Sequence, residues 1–191
     1  MRRVSIACLS VAVLSGGMVV AAGPAHADDR MCRGTIGAVD VSADIIVPSG
    51  ATCTLSGTRV DGNVQVKGNG ALLITGGAFV DGNVQAEDGN ARYVRVRGSS
   101  VQGSIQVKSG GNVIVRNSAV DGNIQLEDNR GRMTIRSNNV DGDIQIFSNS
   151  ARAEIRNNRV NGNLQCKSNT PAPVGSGNQV SGNKEDQCRS M

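Results

Sequence analysis

Arg97, Arg116, Arg136 and Arg156 recur at intervals of 19, 20 and 20 residues, each four residues ahead of a repeated valine. If structure repeats with sequence, the four guanidiniums stand in one row. A guanidinium is planar, permanently charged and fork-shaped, so a row of them suits carboxylates or phosphates repeated along a polymer. Like charges stacked on neighbouring strands gain nothing from one another. Two readings follow. The arginines are solvated at a corner or paired with Glu154, Asp88 or Asp128, or they form a linear anion-binding strip. The strip is the candidate binding site, and its expected ligand is an acidic polysaccharide or cell-wall polymer.

Other rows share the period. Gln65, Gln85, Gln106, Gln125, Gln145 and Gln165 stand five residues after successive valines. Amide ladders of this kind hydrogen-bond to themselves and need no ligand, although stacked amides also suit sugar hydroxyls. Two residues further on come Lys67, Glu87, Lys108, Glu127, Phe147 and Lys167. The sign alternates over four of them, which predicts ion pairing between neighbours that helps to fix register. Asp61/Asp81 and Asp121/Asp141 each precede a glycine, the chemistry of a turn. Calcium would relieve the stacked carboxylates, but the spacing does not match the nonapeptide calcium repeat, and no metal or cofactor is assigned.

The elements that must hold these rows are set by one motif. It runs Val60-Asp-Gly-Asn-Val-Gln-Val66 and returns from Val80, Val101, Val120, Val140 and Val160, with a decayed copy at Val180 and a degenerate one at Val41. Successive anchor valines are 19, 20, 21, 19, 20, 20 and 20 residues apart. A period of this length marks a solenoid. A second alternation, clearest at Val94/Val96, Val113/Val115, Met133/Ile135 and Ala153/Ile155, adds another short strand to each unit. No stretch carries the helical period. Three faces and three turns per unit predict an all-β, single-stranded parallel β-helix of about eight coils of roughly twenty residues, right-handed because left-handed coils keep a stricter six-residue repeat. The repeats span 41–183, with an N-terminal cap at 28–40 and a C-terminal cap or tail at 184–191. Lys184 replaces an aliphatic, and Pro171 and Pro173 interrupt the last second-face strand, as a protected sheet end requires.

Cys32 and Cys53 are 21 residues apart and Cys166 and Cys188 are 22, each about one coil. That separation places the partners on adjacent rungs, so the expected disulfides are Cys32–Cys53 and Cys166–Cys188. Each closes a loop worth about 3 kcal/mol by chain entropy.

The first 27 residues read as a secretory signal: Arg2 and Arg3, an apolar run to Ala22, then Ala25-His26-Ala27 as the cleavage pattern. No later stretch is apolar enough to span a bilayer. Cleavage would remove His26, the only histidine, and with it the commonest general base and metal ligand. Eighteen basic residues then face sixteen acids, so net charge falls from +4 to +2 and no nucleic-acid field is expected. Two phenylalanines and one tyrosine are the only aromatics, so the core must be aliphatic and narrow.

Residues 41–183 resemble the right-handed parallel β-helix repeat proteins of the pectin-lyase-like kind. Many of those are polysaccharide lyases or glycoside hydrolases, so the resemblance implies a carbohydrate-active enzyme. This chain departs from that plan. Its coils are uniform, no insertion walls a cleft, and no catalytic carboxylate pair is distinguishable from the Asp-Gly turns. The Val-x-Gly-Asn-Val/Ile-Gln units are also similar to those of bactofilins, small bacterial β-helices that polymerise end to end in the cytoplasm. That likeness implies a self-assembling scaffold. The signal and composition resemble those of a high-GC Gram-positive bacterium. The expectation is a secreted, wall-associated, non-enzymatic structural or binding module, monomeric or assembling end to end.

Overall fold

The computed structural model describes residues 29–191. The expected signal and its cleavage point lie outside the described residues. Every strand is short, and each coil visits three parallel sheets in turn. Sheet I has nine strands: Arg30–Met31, Ile45–Val47, Val64–Val66, Val84–Ala86, Ile105–Lys108, Ile124–Glu127, Ile144–Phe147, Leu164–Lys167 and Lys184–Asp186. Sheet II has eight, from Gly34–Ile36 and Thr52–Ser56 through Tyr93–Arg97 and Asn112–Arg116 to Val174–Ser176. Sheet III has eight two-residue strands that end on the anchor valines. The chain is thus a parallel β-solenoid of about eight coils, with no helix among the described residues.

Register follows the repeat. Val41, Val60, Val80, Val101, Val120, Val140, Val160 and Val180 pair in sequence, whatever the length of the coil between them. Alternation decides which side chains enter. Val64 and Val66 are buried while Gln65 between them is half-exposed, and Val94 and Val96 enclose a half-exposed Arg95 in the same way. The interior is built of Val, Ile, Leu, Ala, Met and cystine. Phe79, Tyr93 and Phe147 all stand outside it, half-buried.

The corners need more than alternation, because closely stacked turns leave buried amides to satisfy. Between sheets III and I, a Cβ added to Gly122 would meet the carbonyl carbon and oxygen of Gly103 at 2.8 Å, a gap only glycine fits. The next residue caps the coil above it. Asn83 donates its amide N–H to Asn63 Oδ1 at 2.9 Å, Ser104 to Asn83 Oδ1 at 2.8 Å, and Asp143 to Asn123 Oδ1 at 2.7 Å. Between sheets I and II, Asn129, Asn149 and Asn169 point inward and are buried. Asn149 Nδ2 donates to Leu126 O at 3.0 Å and Asn169 Oδ1 at 2.9 Å, while its Oδ1 accepts from Asn129 N and Nδ2 at 2.8 and 3.0 Å. Asn138, Asn158 and Asn178 form the equivalent row between sheets II and III. The residues just ahead of both rows adopt positive φ, as at Ser148 (56°) and Ser137 (56°). That conformation costs roughly 1–2 kcal/mol in a non-glycine residue, which the saturated amides offset.

Both disulfides form between adjacent coils, with Cα separations of 5.5 Å for Cys32–Cys53 and 5.2 Å for Cys166–Cys188. The segment expected as an N-terminal cap is itself a coil: Arg30–Met31, Gly34–Ile36 and Asp40–Val41 pair with all three faces of the next rung. At the other end Lys184 pairs with Leu164, and the strand after Pro171 and Pro173 shortens to Val174–Ser176. Gln187 Oε1 accepts from Asn169 N and Nδ2 at 2.9 and 3.0 Å, ending the asparagine row, and Met191 packs into the core above it.

Asn149→Ala should therefore destabilise the protein by about 3 kcal/mol in urea unfolding, since it strands the buried Asn129 amide and Leu126 carbonyl. Gln125→Ala, on an open face, should cost under about 1 kcal/mol in the same measurement.

Candidate anion-binding face

The outward side of sheet II alternates against the buried Val94, Val96, Val113, Val115, Met133, Ile135, Ala153 and Ile155. Because those pairs lock the register, the four arginines fall into one row. Arg97 pairs with Arg116, Arg116 with Arg136, and Arg136 with Arg156. The backbone register thus places the four arginines in one row, with rungs about 4.8 Å apart.

Their surroundings differ. Arg156 Nε lies 2.8 Å from Glu154 Oε1, and its Nη1 donates to Ser176 Oγ at 2.7 Å. Arg132 Nη2 reaches the other oxygen of Glu154 at 3.5 Å. Among the described residues, Arg116 and Arg136 have no carboxylate partner. Asp88, one partner considered for the row, pairs instead with Lys67 at 2.9 Å. Arg97 is held below the ordinary arginine value, first by burial and then by the charges of Arg116 and Arg95. The Nε atoms of Arg95 and Arg97 are buried and have no hydrogen-bond partner.

The face is wider than the repeat spacing suggests. Arg95 lies over the Tyr93 ring, 4.2 Å from its centroid, one row in from Arg97. Arg132 and Arg152 stand immediately before neighbouring strands, and Arg152 O accepts the Met133 amide at 3.0 Å. A shallow depression of about 250 Å³ is lined by Arg95, Asn112, Ile114, Arg132 and Thr134. Glu154 is the only acid within any strand of this sheet.

The other rows resolve differently. Of the alternating charges on sheet I only Lys108–Glu127 pairs, at 3.2 Å. Lys67 turns to Asp88 rather than Glu87, because six residues join Ala86 to Tyr93 where four join Val66 to Ala71. Asp61 pairs with Arg59 at 3.3 Å, and Asp141 accepts from Asn161 Nδ2 at 2.8 Å. Among the described residues no three His, Cys, Asp or Glu side chains converge as a metal site would require. No protein-family model, curated protein or solved structure matches the chain.

Glu154 is held below the usual carboxylate range, chiefly by the hydrogen bond from Arg156 and against its own desolvation. A carboxylate depressed on folding adds stability that is fully present above its unfolded value and is lost as pH falls through its folded value. Wild type should therefore lose more stability than Glu154→Gln in urea unfolding as pH drops from neutral through the acidic range. The difference should stay under about 1 kcal/mol, since Arg132 is exposed and Arg156 half-exposed, so solvent screens both pairs.

Proposed function

We propose that this chain is an exported, non-catalytic β-solenoid that binds acidic polymers of the cell envelope or extracellular space along sheet II. The observation that carries this reading is the unbroken register of Arg97, Arg116, Arg136 and Arg156 on a face with a single acid. Two unit charges at one rung spacing repel by about 1 kcal/mol in water and more near a protein surface. Arg116 and Arg136 have no carboxylate within the fold to offset it. An acidic polymer would supply the missing charge once per rung.

The row runs along the solenoid axis, so the polymer would lie parallel to that axis, one anionic group near each coil. Guanidinium forks favour carboxylate or phosphate oxygens over diffuse charge. Arg132 and Arg152 widen the contact on one side, and Ile114 gives the depression an apolar floor. Two disulfides, one toward each end, suit a chain that works in an oxidising compartment. A stiff rod holding its charges at fixed spacing loses little entropy on binding a repeating partner.

Co-sedimentation of the protein with isolated cell walls and insoluble acidic polysaccharides tests this. Binding should fall as salt rises, and a variant with Arg97, Arg116, Arg136 and Arg156 changed to Gln should bind at least about tenfold more weakly. Glu154→Gln should bind more tightly than wild type, because it releases Arg156 and Arg132. Equal partitioning of the four-arginine variant and wild type would refute the proposal and favour a scaffold that works through its ends.

A further inference from the structure

We infer that the outer side of sheet I is a second, separate site, which takes a neutral, hydroxyl-rich glycan chain laid along the solenoid. The glutamine row there is a directed chain of amides. Gln85 Nε2 donates to Gln106 Oε1 at 3.0 Å, Gln106 to Gln125 at 2.8 Å, Gln125 to Gln145 and Gln145 to Gln165 at 2.9 Å. Gln165 then donates to Glu185 Oε2 at 3.0 Å, so a carboxylate terminates the row and aligns every amide the same way.

The row differs from the buried asparagine rows in what it leaves unused. Asn149 spends both N–H donors and its oxygen inside the protein. Gln106, Gln125, Gln145 and Gln165 each spend one N–H and accept one bond, leaving a donor and a lone pair per coil on a half-exposed side chain. A hydroxyl group, which both donates and accepts, fits that remainder. The orientation of the free groups is already fixed, so little ordering remains to be done on binding.

Shape and charge point to the same ligand class. A trough of about 260 Å³ runs between Gln106, Gln125 and Gln145 on one side and Lys108, Glu127 and Phe147 on the other. A smaller depression of about 140 Å³ continues it past Glu87 to Gln65 and Gln85. Phe147 is the only aromatic in the strands of this sheet, and it stands in register between Glu127 and Lys167. Its ring offers the apolar platform on which a pyranose C–H face packs. Lys108 is paired with Glu127 and Lys67 with Asp88, while Glu87 between them has no cation partner among the described residues, so both lysines beside the trough are spoken for and one carboxylate is left over. With no free cation there to hold an anionic group, the trough favours a neutral chain, in contrast to the basic face of sheet II.

Affinity electrophoresis of the protein in native gels containing hydroxyethyl cellulose or a mixed-linkage β-glucan tests the inference. Wild type should be retarded by at least one of these glucans. Phe147→Ala and Gln125→Val should each weaken the apparent affinity, Phe147→Ala by roughly tenfold, with unfolding transitions close to wild type. The variant lacking Arg97, Arg116, Arg136 and Arg156 should be retarded as wild type is, which separates this site from the anion-binding face. Absence of retardation by both glucans, retardation that survives both sheet I substitutions, or retardation lost with the four arginines would overturn it.

Discussion

Parallel hydrogen bonding between consecutive coils at one fixed spacing is the constraint from which the rest follows. Between the two end coils, the backbone N–H and C=O groups of the three sheets are committed to the coil above or below, so equivalent residues are forced into rows. At the straight faces this costs nothing special, because Val64, Val84, Ile105, Ile124 and Ile144 stack as well as any aliphatic core. The corners are harder, since three turns per coil expose amides that the sheets do not satisfy. Glycine solves one corner by letting backbones approach, as at Gly122 over Gly103, and asparagine solves the others by replacing water with its own amide.

Stacking like on like then sorts the rows by chemistry. Aliphatic rows are buried, and asparagine rows are buried with their amides saturated. Neither has anything left to offer a ligand. Glutamine rows bond to themselves and retain half their capacity. Arginine rows bond to nothing in the row and repel. The further a row departs from saturation, the less the fold itself explains it. By that measure the outer sides of sheets I and II are where binding capacity remains.

Much of the scaffold was legible because the anchor valine marks the coil directly. Its irregular spacings of 19 and 21 residues fall in turns, so register survives them. The disulfides followed from the same period, since cysteines about one coil apart must lie on adjacent rungs. The buried asparagines were not legible. Asn138, Asn149 and Asn158 sit in polar Asn/Ser/Gly clusters that read as exposed turn, and only their tertiary placement shows that the side chains turn inward. Lys67 and Asp88 were missed because two extra residues in one corner shift a charge without disturbing the sheets. Arg132 and Arg152 escaped notice because they lie just outside their strands, although their 20-residue separation was a usable signal.

The arginine row can be judged by what its own position tolerates. The same outward column holds Ser56 and Thr75 in earlier coils and Ser176 in the last sheet II strand, all in ordinary register. The fold therefore places no demand for charge there, and small hydroxyl side chains satisfy it without repulsion. Arginine occupies only the four consecutive coils between them, where each added guanidinium raises the electrostatic cost of the one before. Arg97 shows that cost most directly, since its proton affinity is lowered by burial and by the charges of Arg116 and Arg95. A row that is neutral at both ends and charged through the middle is not turn chemistry and not core chemistry. It is a bounded patch four rungs long, and on the proposed reading an anionic segment would be engaged over about three rung spacings, roughly 15 Å.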